Sequence, residues 1–242
     1  MLRFRPSWKF TAFMLPLFLG CVALGLWQME RLQWKLALIA QVNRNLQAAP
    51  IPIQRALSMH AGAAQYHRVV LTGRFDNANE AYVFSTNASG APAYHVLTPF
   101  TLKDGRILLV DRGIVPERLR DPRRRAAGEL KGERQITGIW RIPDSSGVFT
   151  PAPNLARHIW YARDVQSIAK ADRIRLAAPV IIEADATPNP GGWPKGGQTV
   201  VSFRNEHLQY AITWFALALV ILGGWAAYSI SQAKLLGPIG PE

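Results

Sequence analysis

The sequence predicts a membrane protein of α+β class, with two transmembrane α-helices flanking an antiparallel β-barrel or sandwich domain. Three observations carry this. Two uncharged apolar runs, Phe10–Met29 and Leu208–Ala233, stand near the two ends of the chain. Between them lies a series of short segments dominated by β-branched and aromatic residues. The 242 residues are 49% hydrophobic, yet mean hydropathy is near zero, so the apolar residues are concentrated rather than spread. That composition also excludes a disordered chain.

Residues 1–9 form a short tail with Arg3, Arg5 and Lys9. Residues 10–29 form the first span: about 20 residues at about 1.5 Å each cross roughly 30 Å of hydrocarbon. Pro16 inside it is tolerated in a membrane helix. Phe18-Leu19-Gly20-Cys21 has some likeness to a lipoprotein cleavage site. A phenylalanine stands where leucine is usual, however, and the apolar run continues well past Cys21, so a retained span is the better reading. The stretch before the span leaves no room for an organelle transit peptide, which predicts a bacterial inner membrane protein. Two spans put both termini on one side, and Arg3, Arg5 and Lys9, with Lys234 adding a little, make that side the cytoplasm. Arg31 and Lys35 argue mildly the other way. The central domain is then periplasmic.

Residues 30–65 read as a membrane-exit helix and linker, the helix ending within Asn43–Met59, where Pro50 and Pro52 stand. Residues 66–204 read as the β-rich domain. Its strand signals are His67–Thr72, Ala81–Ser85, Tyr94–Thr98, Arg106–Val110, Gln135–Trp140, Pro179–Glu183 and Thr199–Phe203. Lys103-Asp104-Gly105 marks a hairpin turn. A short helix is expected at Asp164–Ala171 with Asp164 as N-cap, and Gly191–Gly197 is a turn-rich loop. Residues 205–233 form the second span and 234–242 a second cytoplasmic tail.

The formal charge of +12 raises nucleic acid or anionic lipid as partners. A cluster of Arg118, Arg120, Arg123, Arg124 and Arg125 contributes, with Glu117 and Asp121 interleaved, and reads as a solvated loop. A periplasmic domain does not meet nucleic acid, whereas an acidic protein partner stays open. The single cysteine excludes an intrachain disulfide, a CxxC pair and a thiolate zinc site. There is no nucleophile elbow, phosphate loop, HExxH or dinucleotide fingerprint. His60, His67, His95 and His158 are scattered, with His67 and His95 reading as ordinary barrel residues, and nothing resembles a copper cluster.

His207 differs, because it stands where the second span begins. On a helix Tyr210, Ala211 and Trp214 follow it at offsets of three, four and seven and share its face. An imidazole, a small residue and two aromatics make a wall suited to a flat, apolar, iron-bearing ring such as haem. An interfacial belt of aromatic residues explains the same pattern. Where the first span ends, Trp27, Arg31, Trp34 and Lys35 recur at helical offsets; they suit a belt with snorkelling cations or the propionates of a porphyrin. The first span exits where the second enters, so both groups reach the same membrane face. Gly223, Gly224 and Ala227 offer a small-residue face for helix packing.

At these residues the sequence resembles the Surfeit locus protein 1 family of cytochrome c oxidase assembly factors. The resemblance runs over nearly the whole chain, through Gly25-x-Trp27-Gln28-x-x-Arg31-x-x-Trp34-Lys35, Arg68 with Gly73-x-Phe75, Tyr94–Phe100, and Leu109-Val110-Asp111-Arg112-Gly113-x-Val115-Pro116. It continues in Trp160-x-x-Arg163-Asp164, Gly196-Gly197-Gln198-Thr199, Arg204–Tyr210 and Thr213-Trp214. Asp111 stands where the family usually has Asn, Ile114 where it has an aromatic, and Trp193 interrupts its Gly-Gly-Pro loop. The resemblance implies a two-span inner membrane protein, not an enzyme, that assists biogenesis of oxidase subunit 1. It implies haem a as transient cofactor with His207 on the iron, and haem a synthase and other assembly factors as partners beside the lipid bilayer. A scaffold that holds a subunit 1 intermediate without carrying haem is the alternative.

Overall fold

A computed structural model describes residues 4–87, 89–143, 146–199, 201 and 203–235. Residues 1–3, Arg3 among them, and residues 236–242 of the expected tails lie outside these. The chain divides into two compact units: residues 1–41 with 202–242, and residues 42–201.

The first unit is built on two long helices, α1 (Trp8–Gln47) and α5 (His207–Leu235). Both are long and apolar enough to cross a membrane. α1 passes Pro16 and the expected end of the span without a break. Where the helices meet, the buried positions are small or polar: Gly25 and Gln28 on α1, Ala211, Ala218 and Ser229 on α5. Leu15, Leu17, Leu19, Ile212, Leu219 and Val220 stay exposed. Outward leucines and inward small residues are the pattern of helices solvated by lipid, where packing rather than water exclusion drives association. A Cβ added at Gly25 would fall 2.6 Å from the Phe215 ring, so only glycine admits that ring. Farther along, Trp225 Nε1 donates to Thr11 Oγ1 at 2.9 Å.

The second unit is a closed sheet. Its main strands are β2 (Arg68–Phe75), β4 (Pro92–Leu102), β5 (Ile107–Pro116), β6 (Arg134–Arg141) and β8 (Leu176–Ala184). They run in the order β2-β6-β8-β5-β4, and β4 returns to pair with β2 through Gly73↔Leu102 to Phe75↔Phe100, which closes the ring. β3 (Ala81–Thr86) pairs along the other half of β4, and β7 (Ile159–Trp160) lies parallel to β3. β1 (Ile51–Pro52), α2 (Ile53–Ser58) and α3 (Ala61–Ala64) occupy the expected linker. Val69, Leu71, Phe100, Leu108, Val110, Trp140, Val180 and Ile182 form the larger apolar core. Leu97, Leu109 and Ile181, the intervening residues, face a second core made with Val83, Trp160 and α4 (Val165–Ala171). Strands β4, β5 and β8 are thus buried on both faces, which is why they read as continuous apolar runs.

The sheet is mixed rather than wholly antiparallel, for β5 and β8 run parallel. The long chain between them allows the crossover that parallel pairing needs. The expected hairpin joins β4 to β5: Gly105 takes φ +83°, and the Arg106 N–H donates to Asp104 Oδ1 at 3.1 Å. Asp164 caps α4, accepting from Ser167 N–H at 3.0 Å. The expected strand Thr199–Phe203 is corrected. Val200 and Ser202 lie outside the described residues, and Thr199, Val201 and Phe203 are not in a strand. There the Thr199 hydroxyl bonds Glu183 Oε2 at 2.6 Å instead of extending a ladder.

Candidate functional site

In the helical unit His207 opens α5 and its ring is half-buried. Its Nδ1 lies 2.7 Å from Oε1 of Gln28, on α1. Nε2 has no hydrogen-bond partner among the described residues. Gln28 reaches the ring because Gly25, one turn earlier on α1, lets Phe215 of α5 lie against the backbone.

The sequence-predicted residues separate around this contact. Ala211 is 1% exposed and Trp214 partly buried, so both follow His207 toward α1. Tyr210 is 52% exposed and turns outward. On α1, Lys35 lies two turns beyond Gln28 and its ammonium sits over the Phe203 ring, 5.3 Å from the centroid. Trp27 and Trp34 are half-exposed and point away from the helix seam, and the Arg31 guanidinium stacks on Trp34 at 4.6 Å. Helical spacing put each group of residues on one broad face; packing splits each face into an inward and an outward edge. Gln28 is the residue that spacing missed. A glutamine inside an otherwise uncharged apolar run was the available signal, since a buried amide must find a partner.

The barrel unit holds two buried polar clusters. In the first, Glu80 accepts from Arg112 Nη1 at 3.3 Å, from Tyr82 Oη at 2.9 Å, and from both terminal nitrogens of Arg125. Arg125 also bonds Glu129 at 2.6 Å, and Arg112 donates to the Gly128 carbonyl. This corrects the expectation that the arginine cluster is solvated. Arg118, Arg123 and Arg124 are exposed, but Arg125 is drawn inward because Glu80 is buried beside it and needs a counter-charge. Burial, reinforced by the Glu80 charge, pushes the Tyr82 hydroxyl well above the usual tyrosine range.

In the second cluster His95 Nδ1 lies 2.9 Å from Asp111, and Arg163 bridges Asp111 at 3.3 Å and Glu183 at 2.8 Å. His95 is therefore no ordinary barrel residue but part of an ionic group at the base of a cleft walled by Phe84 and Tyr161. Burial pushes the Asp111 carboxyl up. The hydrogen bond and charge of His95, the Arg163 charge and the Gly113 N–H more than offset this and hold it below the usual carboxylate range. His95, Asp111, Arg163 and Thr199 come from four separate stretches that carry the family resemblance.

Comparison with known proteins bears on the whole of this architecture. The model of the SURF1 family matches residues 15–219, a stretch that includes most of α1, the entire barrel and the first part of α5. The chain belongs to the SURF1 family. Surfeit locus protein 1 of Mus musculus is 37% identical over 231 residues, covering 88% of this chain and 73% of the mouse protein. That of Gallus gallus is 35% identical over 248 residues, 96% of this chain and 78% of the chicken protein. The SURF1-like protein of Monosiga brevicollis is 40% identical over 217 residues, covering 84% and 80%. The SURF1 match takes in Gln28, His207 and both buried clusters alike.

Proposed function

We propose that this protein is a non-enzymatic assembly factor for a haem-copper, cytochrome c type oxidase. It binds haem a at the outer face of a bacterial inner membrane and assists insertion of the group into oxidase subunit 1. In this reading both termini are cytoplasmic and the barrel is periplasmic. Subunit 1, haem a synthase and other assembly factors are its partners beside the lipid bilayer, and nucleic acid is not.

One observation carries the haem part of the reading: a half-buried imidazole with one ring nitrogen tied to Gln28 and the other without a partner among the described residues. The donor set fits a porphyrin better than a bare ion. Among the described residues no group of three or more His, Cys, Asp or Glu side chains could hold a metal. Haem a brings its own porphyrin nitrogens to the iron and would ask little more of the chain than a single donor. His207 would hold the group through Nε2. Trp214 offers ring contact on the inward edge, and Tyr210, Trp27 and Trp34 on the outward edge. Arg31 and Lys35 rest on aromatic faces, interactions weak enough to exchange for the stronger pairing with propionates. Ligation by a single side chain suits a carrier that must release its cargo.

The test is the absorption spectrum of protein purified after co-expression with haem a synthase. Wild type should show a Soret band and His207→Ala should lack it. A variant that retains a full complement of haem would remove His207 from the iron. A second reading, a scaffold for a subunit 1 intermediate, is favoured by the open backbone at Gly223 and Gly224, where an added Cβ meets nothing within 4 Å. Capture of subunit 1 by the haem-free His207→Ala protein supports that reading over carriage.

A further inference from the structure

We infer that Gln28 is a positioning residue for the iron-binding nitrogen of His207: its amide oxygen fixes the imidazole in the Nδ1–H tautomer and aims the Nε2 lone pair out of the contact. The inference rests on the haem reading for its purpose, but its physical content concerns two side chains of this chain and can be tested without any ligand.

A neutral imidazole carries one N–H and one lone pair, and a hydrogen bond to either nitrogen decides which is which. The atom of Gln28 that faces His207 Nδ1, at 2.7 Å, is a carbonyl oxygen, which can only accept. Nδ1 must then hold the proton and Nε2 the lone pair. In an unpaired neutral histidine side chain the proton prefers Nε2, so without this contact the ring would mostly present an N–H where a metal ligand is needed. Metal-binding histidines commonly donate the other ring N–H to a fixed acceptor, and that contact sets both tautomer and ring orientation.

The surroundings give Gln28 no competing use. It is 9% exposed, at the end of the apolar run of α1, and the imidazole is its one side-chain partner among the described residues. A buried amide in a membrane helix is expensive unless bonded. Gly25 is what lets it reach: the missing side chain admits Phe215 and with it the start of α5. Gly25, Gln28 and Lys35 share one side of α1, and His207, Ala211 and Ala218 one side of α5. Trp27, Arg31 and Trp34 lie off that seam. A neutral acceptor also has a consequence for the bound group. It would lend the His207 imidazole less electron density than a carboxylate, which would keep affinity for the group moderate, as release requires.

The experiment uses full-length protein in lipid nanodiscs, with ¹⁵N-labelled histidine and His207 assigned by its loss in His207→Gln. In the haem-free wild type, His207 should show a protonated Nδ1 and an unprotonated Nε2. Gln28→Leu should invert this ratio toward Nε2–H, while Gln28→Glu, an acceptor of similar size, should keep the wild-type tautomer. After co-expression with haem a synthase, Gln28→Leu should retain haem at least about tenfold more weakly. Gln28→Glu should raise the iron–histidine stretching frequency in resonance Raman spectra and make the midpoint potential more negative. An unchanged tautomer ratio in Gln28→Leu, or a wild-type stretching frequency in Gln28→Glu, overturns the inference. If wild type and all variants fail to take up haem while the tautomer follows Gln28, the positioning role stands and the haem reading falls.

Discussion

Neutralising Glu80 by Glu80→Gln should cost the barrel unit about 3–5 kcal/mol, the range for breaking a buried ionic group by removal of one partner. The magnitude follows from what the change leaves behind. Arg112 and Arg125 have side chains 1% and 2% exposed, and Glu80 is their shared counter-charge. With an amide in its place, two buried guanidinium groups face only Glu129, which is itself partly exposed. The amide can still accept one hydrogen bond but donates where acceptors are needed. For a unit of about 160 residues each kcal/mol moves the melting temperature by about 2–4 °C, so Tm should fall by roughly 6–20 °C. The assay is near-UV circular dichroism on heating, which reports the packing of the buried Trp140 and Trp160. The Arg125→Gln companion tests the cause: it removes one of the stranded charges, so the double variant should lose less than the sum of the two single changes. A Glu80→Gln protein melting within about 2 °C of wild type, or strict additivity, would refute the reasoning.

Two further outcomes follow from the second cluster and its neighbour. The Asp111 carboxyl is held below its ordinary value, so its contribution to stability is complete above about pH 4 and is lost as the pH falls through the folded value. Asp111→Asn abolishes that titration, and its acid-unfolding curve should be shallower than wild type; superimposable curves would show that the pairing with His95 and Arg163 does not couple to stability. Gly113 takes φ +110°, and a Cβ there would fall on the Lys195 carbonyl, beside the paired backbone bonds between Ile114 and Lys195 at 3.0 Å. Gly113→Ala should cost at least about 1–3 kcal/mol and reduce the yield of folded protein, whereas an unchanged melting temperature would mean that the Lys195 segment shifts aside freely.

Much of this molecule is legible before any coordinates. Long uncharged runs announce α1 and α5, because a helix in lipid needs both length and the absence of charge. Short β-branched runs locate six of the eight strands found among the described residues, and Asp164 and Gly105 mark a cap and a turn through local hydrogen bonds alone. The misses have a common origin. Thr199–Phe203 has strand composition, but Thr199 gives its polar group to Glu183, sixteen residues earlier and in another element. Arg125 looks like its exposed neighbours Arg123 and Arg124, and only the burial of Glu80, forty-five residues earlier, draws it inward. Composition registers neither event, for both depend on where a distant partner ends up.

Family membership, the two apolar helices, the barrel between them and the singularity of His207 were therefore written in local patterns of hydropathy and residue type. The pairing of Gln28 with His207, the split of the aromatic residues into inward and outward edges, and the joining of His95, Asp111, Arg163 and Glu183 were decided only by packing. Periodicity places a side chain on a face, but a hydrogen bond needs two atoms within about 3 Å, and that distance is set by the closest approach of backbones, here by a glycine that a ring can lie against.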